Sequence, residues 1–320
     1  MFPYHNNVGD SAIWLGTSTL LKKLGIKLRY ACSHVTYNPN HLKKCHPDGP
    51  ILILGGGNFG DVYKSEFELR KRIILDFPGR EIIQLPQSIW FRSPESVTAW
   101  QKILANHGNF TLLVRDNDSY KFSKDNFEVN TRLCPDMAFC LNQKILRFVN
   151  QNSQKTKKIL CIMRNDGEKL TDRILTDSNE NQDYSIEDWK SDVKSYRQIW
   201  SRIDKLSWKI SNLLLISATK KHGAQIPMSI MIVAKKAMAD LKVKYGIKQI
   251  QQGSVIVTDR LHVALLSWLV KKEVVLLDNC YNKNSNFFST WFESHQSIKF
   301  ANNFEMALEL ARVSSHEKFQ

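Results

Sequence analysis

The stretch SVIVTDRLHVALLSWLVKKEVVLLDN, residues 254 to 279, ends an apolar run on Asp259, Arg260 and His262. An arginine offers a planar two-pronged donor for carboxylate or phosphate, and a histidine beside it can exchange a proton. Residues two apart diverge in a helix interior. In the first turn of a helix, both can reach the space above a sheet edge, where free N–H groups also attract anions. The pattern therefore suits an anion held by Arg260 and a proton moved by His262. A purely structural arrangement accounts for the same letters: Asp259 caps the helix, Arg260 pairs with it, and His262 packs under Trp268.

Other residues could join such a site. In PILILGGGNFGDVYK, Gly55, Gly57 and Gly60 satisfy G-x-G-x-x-G between an expected strand and an expected helix from Asp61 to about Asp76. The dinucleotide fingerprint also needs a carboxylate about 20 residues on, at the end of the next strand. That strand, EIIQLPQ, ends on Gln84 and Gln87, so NAD is excluded. An anion or sugar contact by Gly55, Gly56, Gly57 and Asn58 remains, as does a tight turn with no ligand. HNNVGDSAIW offers a similar turn through Asn7, Gly9 and Asp10 into a helix, although Asp10 also suits a simple N-cap. Arg115 ends the strand FTLLVRD, Asp136 follows Pro135, and Arg164 follows the strand ILCIM. An arginine at a strand end is commonly a surface ion pair, but with Arg260 these would supply several fixed cations.

The elements that must position these residues alternate. Helix Asp10–Gly25, strand KLRYAC, strand PILIL, the glycine turn and its helix, strand EIIQLPQ, helix ESVTAWQKILANHG, strand FTLLVRD and a short helix near Ser119 predict a parallel sheet covered on both faces. Polar residues cluster between Asn142 and Lys158, which places a domain boundary near residue 150. Beyond it come ILCIM, an exposed polar loop from Arg164 to Ser185, and a helix from Ile186 carrying Trp189, Trp200 and Trp208. The helix IPMSIMIVAKKAMADLKVKYG, strand SVIVTD, helix RLHVALLSWLVKK, strand EVVLLD and a last helix over NFEMALELARV follow. The expectation is α/β: two Rossmann-like domains facing across a cleft, residues 1–150 and 151–320, with the last helix returning to the first domain.

Composition narrows the rest. Hydrophobic residues are 42% of 320 and the formal charge is +14. No apolar run approaches the roughly 18 residues of a membrane span. MFPYHNNVGD has no apolar signal core, which predicts a cytoplasmic chain. Six cysteines stand without a C-x-x-C pair, so reduced thiols and no metal site are expected. The charge suits a solvated basic surface, an anionic substrate or an anionic membrane face. No RNA- or DNA-binding motif accompanies it, so nucleic acid is not an expected partner.

In order, NNVGDSAIW, ILILGGGNFGD, IIQLPQSI, VRDNDSY, CPDMAF, VIVTDRLHVALL and VVLLDNCYNK resemble the polysaccharide pyruvyl transferase family, from Asn6 to about Lys283. The resemblance implies a fold like the GT-B glycosyltransferases. It also implies transfer of the enolpyruvyl group of phosphoenolpyruvate (PEP) to a saccharide as a ketal, in exopolysaccharide, capsule or cell-wall synthesis. By the same resemblance Arg260 and His262 fall on the R-L-H positions of the PEP site, Arg164 on a donor-binding arginine and Lys283 on a frequent family lysine. Asn7, Gly9, Asp10, Gly55, Gly56, Gly57, Asn58, Gln87, Arg115 and Asp136 would line the acceptor side. PEP is then a donor substrate and no cofactor is required. A lipid-linked acceptor at the inner membrane face would give the positive charge a use. The chain departs from the family in two places: almost no strand precedes Asn7, through a stunted strand or a late start, and Lys271-Lys272-Glu273 replaces a frequent Gly and Pro. A GT-B-like glycosyltransferase using a nucleotide sugar and an inactive scaffold of a polysaccharide-assembly complex are the alternatives.

Overall fold

The computed structural model describes residues 7–34, 36–141, 157–164, 183–189 and 228–316. The first half runs α1 (Val8–Lys23), α2 (Pro39–Cys45), β1 (Ile51–Ile53), β2 (Gly56–Phe59), α3 (Lys64–Asp76), β3 (Ile82–Ile89), α4 (Pro94–His107), β4 (Phe110–Val114), α5 (Asn117–Asn126) and β5 (Asn130–Leu133). A 3₁₀ turn, Met137–Cys140, follows. The first sheet has the order β1-β3-β4-β5, all parallel. Strand β2 pairs with the second half of β3, Gly56 beside Gln87 and Phe59 beside Ile89, so it prolongs the edge that β1 begins.

The second half runs β6 (Lys157–Ile162), β7 (Tyr184–Glu187), α6 (Met228–Gln251), β8 (Gly253–Thr258), α7 (Leu261–Leu269), β9 (Glu273–Leu277), α8 (Lys283–Trp291), β10 (Ile298–Ala301) and α9 (Phe304–His316). Its sheet has the order β10-β9-β8-β6-β7, again all parallel. Two parallel α/β sheets of Rossmann type are thus the observed class, as the alternation predicts.

Local chemistry fixes the helix ends. Asn7 Oδ1 accepts the Gly9 N–H at 2.8 Å and starts α1. Ser93 caps α4 through the Ser96 N–H, Pro94 opens it, and Gly108 closes it at φ 71°. Asp116 caps α5 through the Ser119 N–H at 2.8 Å. Each cap satisfies a backbone donor that the first turn leaves open.

Several expectations need correction. Lys27–Cys32 forms no strand. The glycine-rich segment is not a turn that opens a helix: it is strand β2, and α3 begins only at Lys64. Gly60 sits at φ +146°, and a Cβ there would fall 1.6 Å from the Trp90 carbonyl oxygen, so only glycine fits between β2 and the end of β3. Ile186 and Glu187 belong to β7 rather than to a helix, because they pair with β6. Strands β5 and β10 and helix α8 were not anticipated. The expected first strand, the polar boundary segment before Lys157, most of the polar loop, and Trp200 and Trp208 lie outside the described residues.

The core explains how the halves meet. One cluster fills the first sheet's helical layer, with Phe59, Ile73, Trp100, Leu104 and Leu112 buried. A second, of Val255, Val257, Val275 and Ala307, lies under α9, which packs on β8, β9 and β10. The last helix therefore covers its own sheet instead of returning to the first. The crossing element is α1: its Ile13, Trp14 and Leu15 join Val243 and Ile247 of α6, Leu265 of α7, and Phe287 and Phe292 in one continuous cluster. Trp189, from the end of β7, is buried in the same cluster.

Candidate functional site

The carboxyl ends of β4, β5, β8 and β9 converge. Thr258 ends β8; its hydroxyl donates to Ile162 O at 2.6 Å, and its Oγ1 accepts the Arg260 N–H at 3.0 Å. This turn makes Arg260 the N-cap of α7 and puts His262 in its first turn. Asp259 does not cap the helix. Its Oδ1 accepts the Arg164 N–H at 2.8 Å and ties the ends of β6 and β8 together. Arg260 does not pair with Asp259 either: its Nη2 donates to Asp188 Oδ1 at 2.7 Å, just past β7. The cap and the pair of the structural alternative are thereby replaced.

The His262 side chain meets residues from the first half of the chain. Its Nε2 stands 3.5 Å from Asp136 Oδ2, an ion-pair distance and longer than a good hydrogen bond. Its Nδ1 lies where Gly9 leaves room: a Cβ at Gly9 would fall 2.6 Å from Nδ1 and 2.9 Å from His262 Cβ. The imidazole is thus sandwiched between the N-terminus of α1 and a carboxylate from the loop after β5.

Asp136 is buried, with 1% of its surface exposed. It accepts Arg115 Nη1 at 2.6 Å, while its Oδ1 accepts the Ala138 N–H at 2.9 Å. Burial alone pushes its carboxyl upward, but the facing His262 and Arg115 and the Ala138 N–H outweigh it and hold the group well below the usual carboxylate range. Arg115 is itself buried. Its Nε donates to Ser88 Oγ at 2.9 Å, and Ser88 donates in turn to Asp116 Oδ2 at 2.6 Å. The Arg115 carbonyl accepts Trp291 Nε1 at 2.8 Å, a bond from the second half of the chain.

Lys283 opens α8 with its Nζ donating to Gly57 O at 3.1 Å. A side chain at Gly57 would begin 3.0 Å from Arg115 Nη2 and 3.8 Å from Lys283 Cδ. Bare backbone therefore brings Lys283 and Arg115 within one residue of each other. Asp278 and Asn279 brace this turn by accepting the N–H groups of Asn284 and Lys283. Asp10 lies in the first turn of α1 with Oδ1 3.6 Å from a Cβ built on Gly56.

The expected site residues thus divide. Gly9, Asp10, Gly56, Gly57, Arg115, Asp136, His262 and Lys283 form one contact network between the sheets. Arg164 and Arg260 stand just past the ends of β6 and β8. Asn7 serves as the α1 cap. Gly55 packs its backbone against Pro86. Asn58 and Gln87 serve the scaffold: Gln87 accepts the Asn58 N–H at 3.1 Å and donates to Leu54 O, and the Asn58 side chain accepts Arg70 Nη2 at 2.9 Å. Arg70, fully buried on Gln84 and stacked 4.8 Å from the Phe59 ring, is pulled by burial down to about 10 and stays a cation at neutral pH. Sequence reasoning missed Arg70, Ser88 and Asp188, whose partners lie 12 to 72 residues away and leave no local signal.

The arrangement can hold an anion and move a proton. Arg115, Lys283, Arg260 and Arg164 provide positive charge, and His262 provides an imidazole that faces a fixed carboxylate.

Comparison with known proteins bears on family and fold. Residues 7–281 match the family model described as polysaccharide pyruvyl transferase. The chain is 30% identical over 302 residues to the Bacillus subtilis protein called "Putative pyruvyl transferase EpsO", covering 93% of this chain and 86% of that one. It is 28% identical over 305 residues to Pyruvyl transferase 1 of Schizosaccharomyces pombe, covering 91% and 68%. Among solved structures, an uncharacterised Klebsiella pneumoniae protein superposes with a TM-score of 0.55 at 18% identity, over 93% of this chain and 89% of that one, a likeness of fold. Among the described residues no helix is long and apolar enough to cross a membrane.

Proposed function

The chain belongs to the polysaccharide pyruvyl transferase family, and on that premise we propose that it transfers the enolpyruvyl group of PEP to two hydroxyls of a saccharide, forming a ketal and releasing phosphate. The observation that carries the reading is the His262–Asp136 contact made between the two sheets, with Arg115 and Lys283 beside it.

The chemistry runs as follows. His262 delivers a proton to the methylene carbon of PEP, and the carbon bearing phosphate becomes electrophilic. A saccharide hydroxyl adds to that carbon and loses its proton. The C–O bond to phosphate breaks, leaving an oxocarbenium ion that the second hydroxyl captures with loss of a second proton. One proton is taken up and two are released: one restores the imidazolium, and the other leaves on the phosphate as hydrogen phosphate. Asp136 keeps the ring oriented and gives its imidazolium a counter-charge. Arg260, Arg164 and Lys283 hold the carboxylate and departing phosphate, since fixed cations cost no reorganisation as charge develops. The donor needs no cofactor. In this reading the acceptor is a unit of an exopolysaccharide, capsule or cell-wall polymer, lipid-linked at the inner face of the membrane, where the basic surface favours anionic lipid.

The test is calorimetric titration of the purified chain with PEP and with nucleotide sugars, beside Arg260→Ala. The reading expects PEP binding that Arg260→Ala abolishes, and saccharide-dependent phosphate release that His262→Ala abolishes while PEP still binds. Nucleotide-sugar binding without PEP binding refutes it.

A further inference from the structure

An aromatic pair stands beside the Lys283 ammonium, and neither the donor nor the proton chemistry uses it. Trp90, immediately after β3, is 40% exposed. Its ring lies 5.4 Å from the ring of Tyr281, at 48°, and Tyr281 belongs to the turn between β9 and α8. The pair is therefore built by both halves of the chain. Lys283 Nζ lies 4.6 Å from the Tyr281 ring and 5.9 Å from the Tyr63 ring, so the pair adjoins the ammonium that contacts Gly57.

The pair is held in place. The Trp90 N–H donates to Phe59 O at 2.9 Å, which locks its backbone to β2. Asp61 accepts the N–H groups of Arg92 and Ser93 at 2.7 and 3.1 Å and so rigidifies the following turn. Arg92 Nη2 donates to Tyr281 Oη at 3.2 Å across the two halves. A large exposed indole on a fixed backbone, with a phenol and a guanidinium at its edge, is an unusual use of surface. Scattered exposed apolar side chains need no explanation, but a preorganised aromatic pair with polar groups at its edge has the composition of a ligand pocket.

We propose that Trp90 and Tyr281 form the acceptor-sugar subsite: one face of a pyranose ring stacks on them, and Arg92 and the Tyr281 hydroxyl contact its hydroxyls. This rests on the pyruvyl-transfer reading for the identity of the reaction. A pyranose has one face made of C–H groups and a rim of hydroxyls. It therefore matches a surface that is apolar in its plane and polar at its edge, and rigid aromatic rings supply contact area at low entropic cost. The subsite connects to the reaction centre through Lys283, Gly57 and Arg115, so a sugar seated there lies next to the cations that would hold the donor.

The experiment uses the full chain and three probes without PEP: methyl β-galactopyranoside, methyl β-glucopyranoside and UMP. Binding is read by saturation-transfer NMR and by tryptophan fluorescence for the wild type, Trp90→Ala, Trp90→Phe and Tyr281→Ala. The expected result is saccharide binding weakened about tenfold in both alanine variants and retained in Trp90→Phe. With PEP present, the acceptor KM should rise about tenfold in the alanine variants while the PEP Kd stays within about twofold. Both positions are partly exposed, and circular dichroism checks that the variants fold. Saccharide binding unchanged in Trp90→Ala and Tyr281→Ala overturns the proposal, as does UMP binding lost in those variants with no saccharide binding to the wild type. Because binding is read without PEP, a failure of phosphate release alone removes the pyruvyl-transfer reading and leaves the saccharide subsite to be judged by the NMR.

Discussion

Replacing Asp136 by Asn removes one charge from the centre of the molecule while keeping its shape. The loss falls on two partners: Arg115, 3% exposed and 2.6 Å away, and His262 at 3.5 Å. Deleting one member of a buried pair strands the other in a low-dielectric site and costs about 3–5 kcal/mol. At about 2 °C per kcal/mol for a chain of this size, Tm should fall by about 6–10 °C. The pH dependence has a definite sign. Burial opposes ionisation of Asp136, but His262 and Arg115 hold its carboxyl below the usual range. A carboxyl depressed on folding contributes stability above its unfolded value of about 3.9 and loses it as pH falls through the folded value. The carboxylate's part of the gap between wild type and Asp136→Asn should therefore persist down to about pH 4 and shrink below that. Urea unfolding of the wild type, Asp136→Asn, Arg115→Met and the double variant measures all of this without any substrate. The double variant should cost less than the sum of the singles by at least about 1.5 kcal/mol. A loss under about 1 kcal/mol for Asp136→Asn, or additivity within about 0.5 kcal/mol, would refute the pairing argument.

Gly9→Ala places a methyl 2.6 Å from His262 Nδ1; the ring must move, and turnover should fall about 100-fold, with stability changed by about 1–3 kcal/mol, read by phosphate release and urea melts. Lys283→Met keeps the aliphatic stem that packs beside Gly57 and removes the charge, so the PEP Kd should rise about tenfold by calorimetry. Asp188→Asn leaves buried Arg260 without its 2.7 Å carboxylate; stability should drop by about 1–3 kcal/mol, and PEP should bind a few-fold tighter because the guanidinium no longer divides between two anions.

The alternating pattern was enough to predict two parallel sheets, because strands buried on both faces must be continuous apolar runs and helices between them must be amphipathic. It also placed Arg260, His262 and Arg115 at or just past the ends of apolar runs where strands stop, while Lys283 came from the family resemblance alone. It failed where local letters serve distant partners. GGGNFG reads as a phosphate-cradling turn, yet β2 pairs with β3 because Gln87, Asn58 and Arg70 satisfy one another beneath it. The TDRLH segment reads as a self-contained cap and ion pair, yet Asp259 bonds Arg164, Arg260 bonds Asp188, and His262 faces Asp136. Period and charge are local properties of the chain, so its letters specify which side chains end the strands and what chemistry they can carry. Who faces whom is a matter of packing: α1 buries Ile13 and Trp14 against α6 and α7, and that packing carries Gly9 to His262. A partner choice made through space is set by apolar burial summed over whole elements, and no spacing within one segment records it.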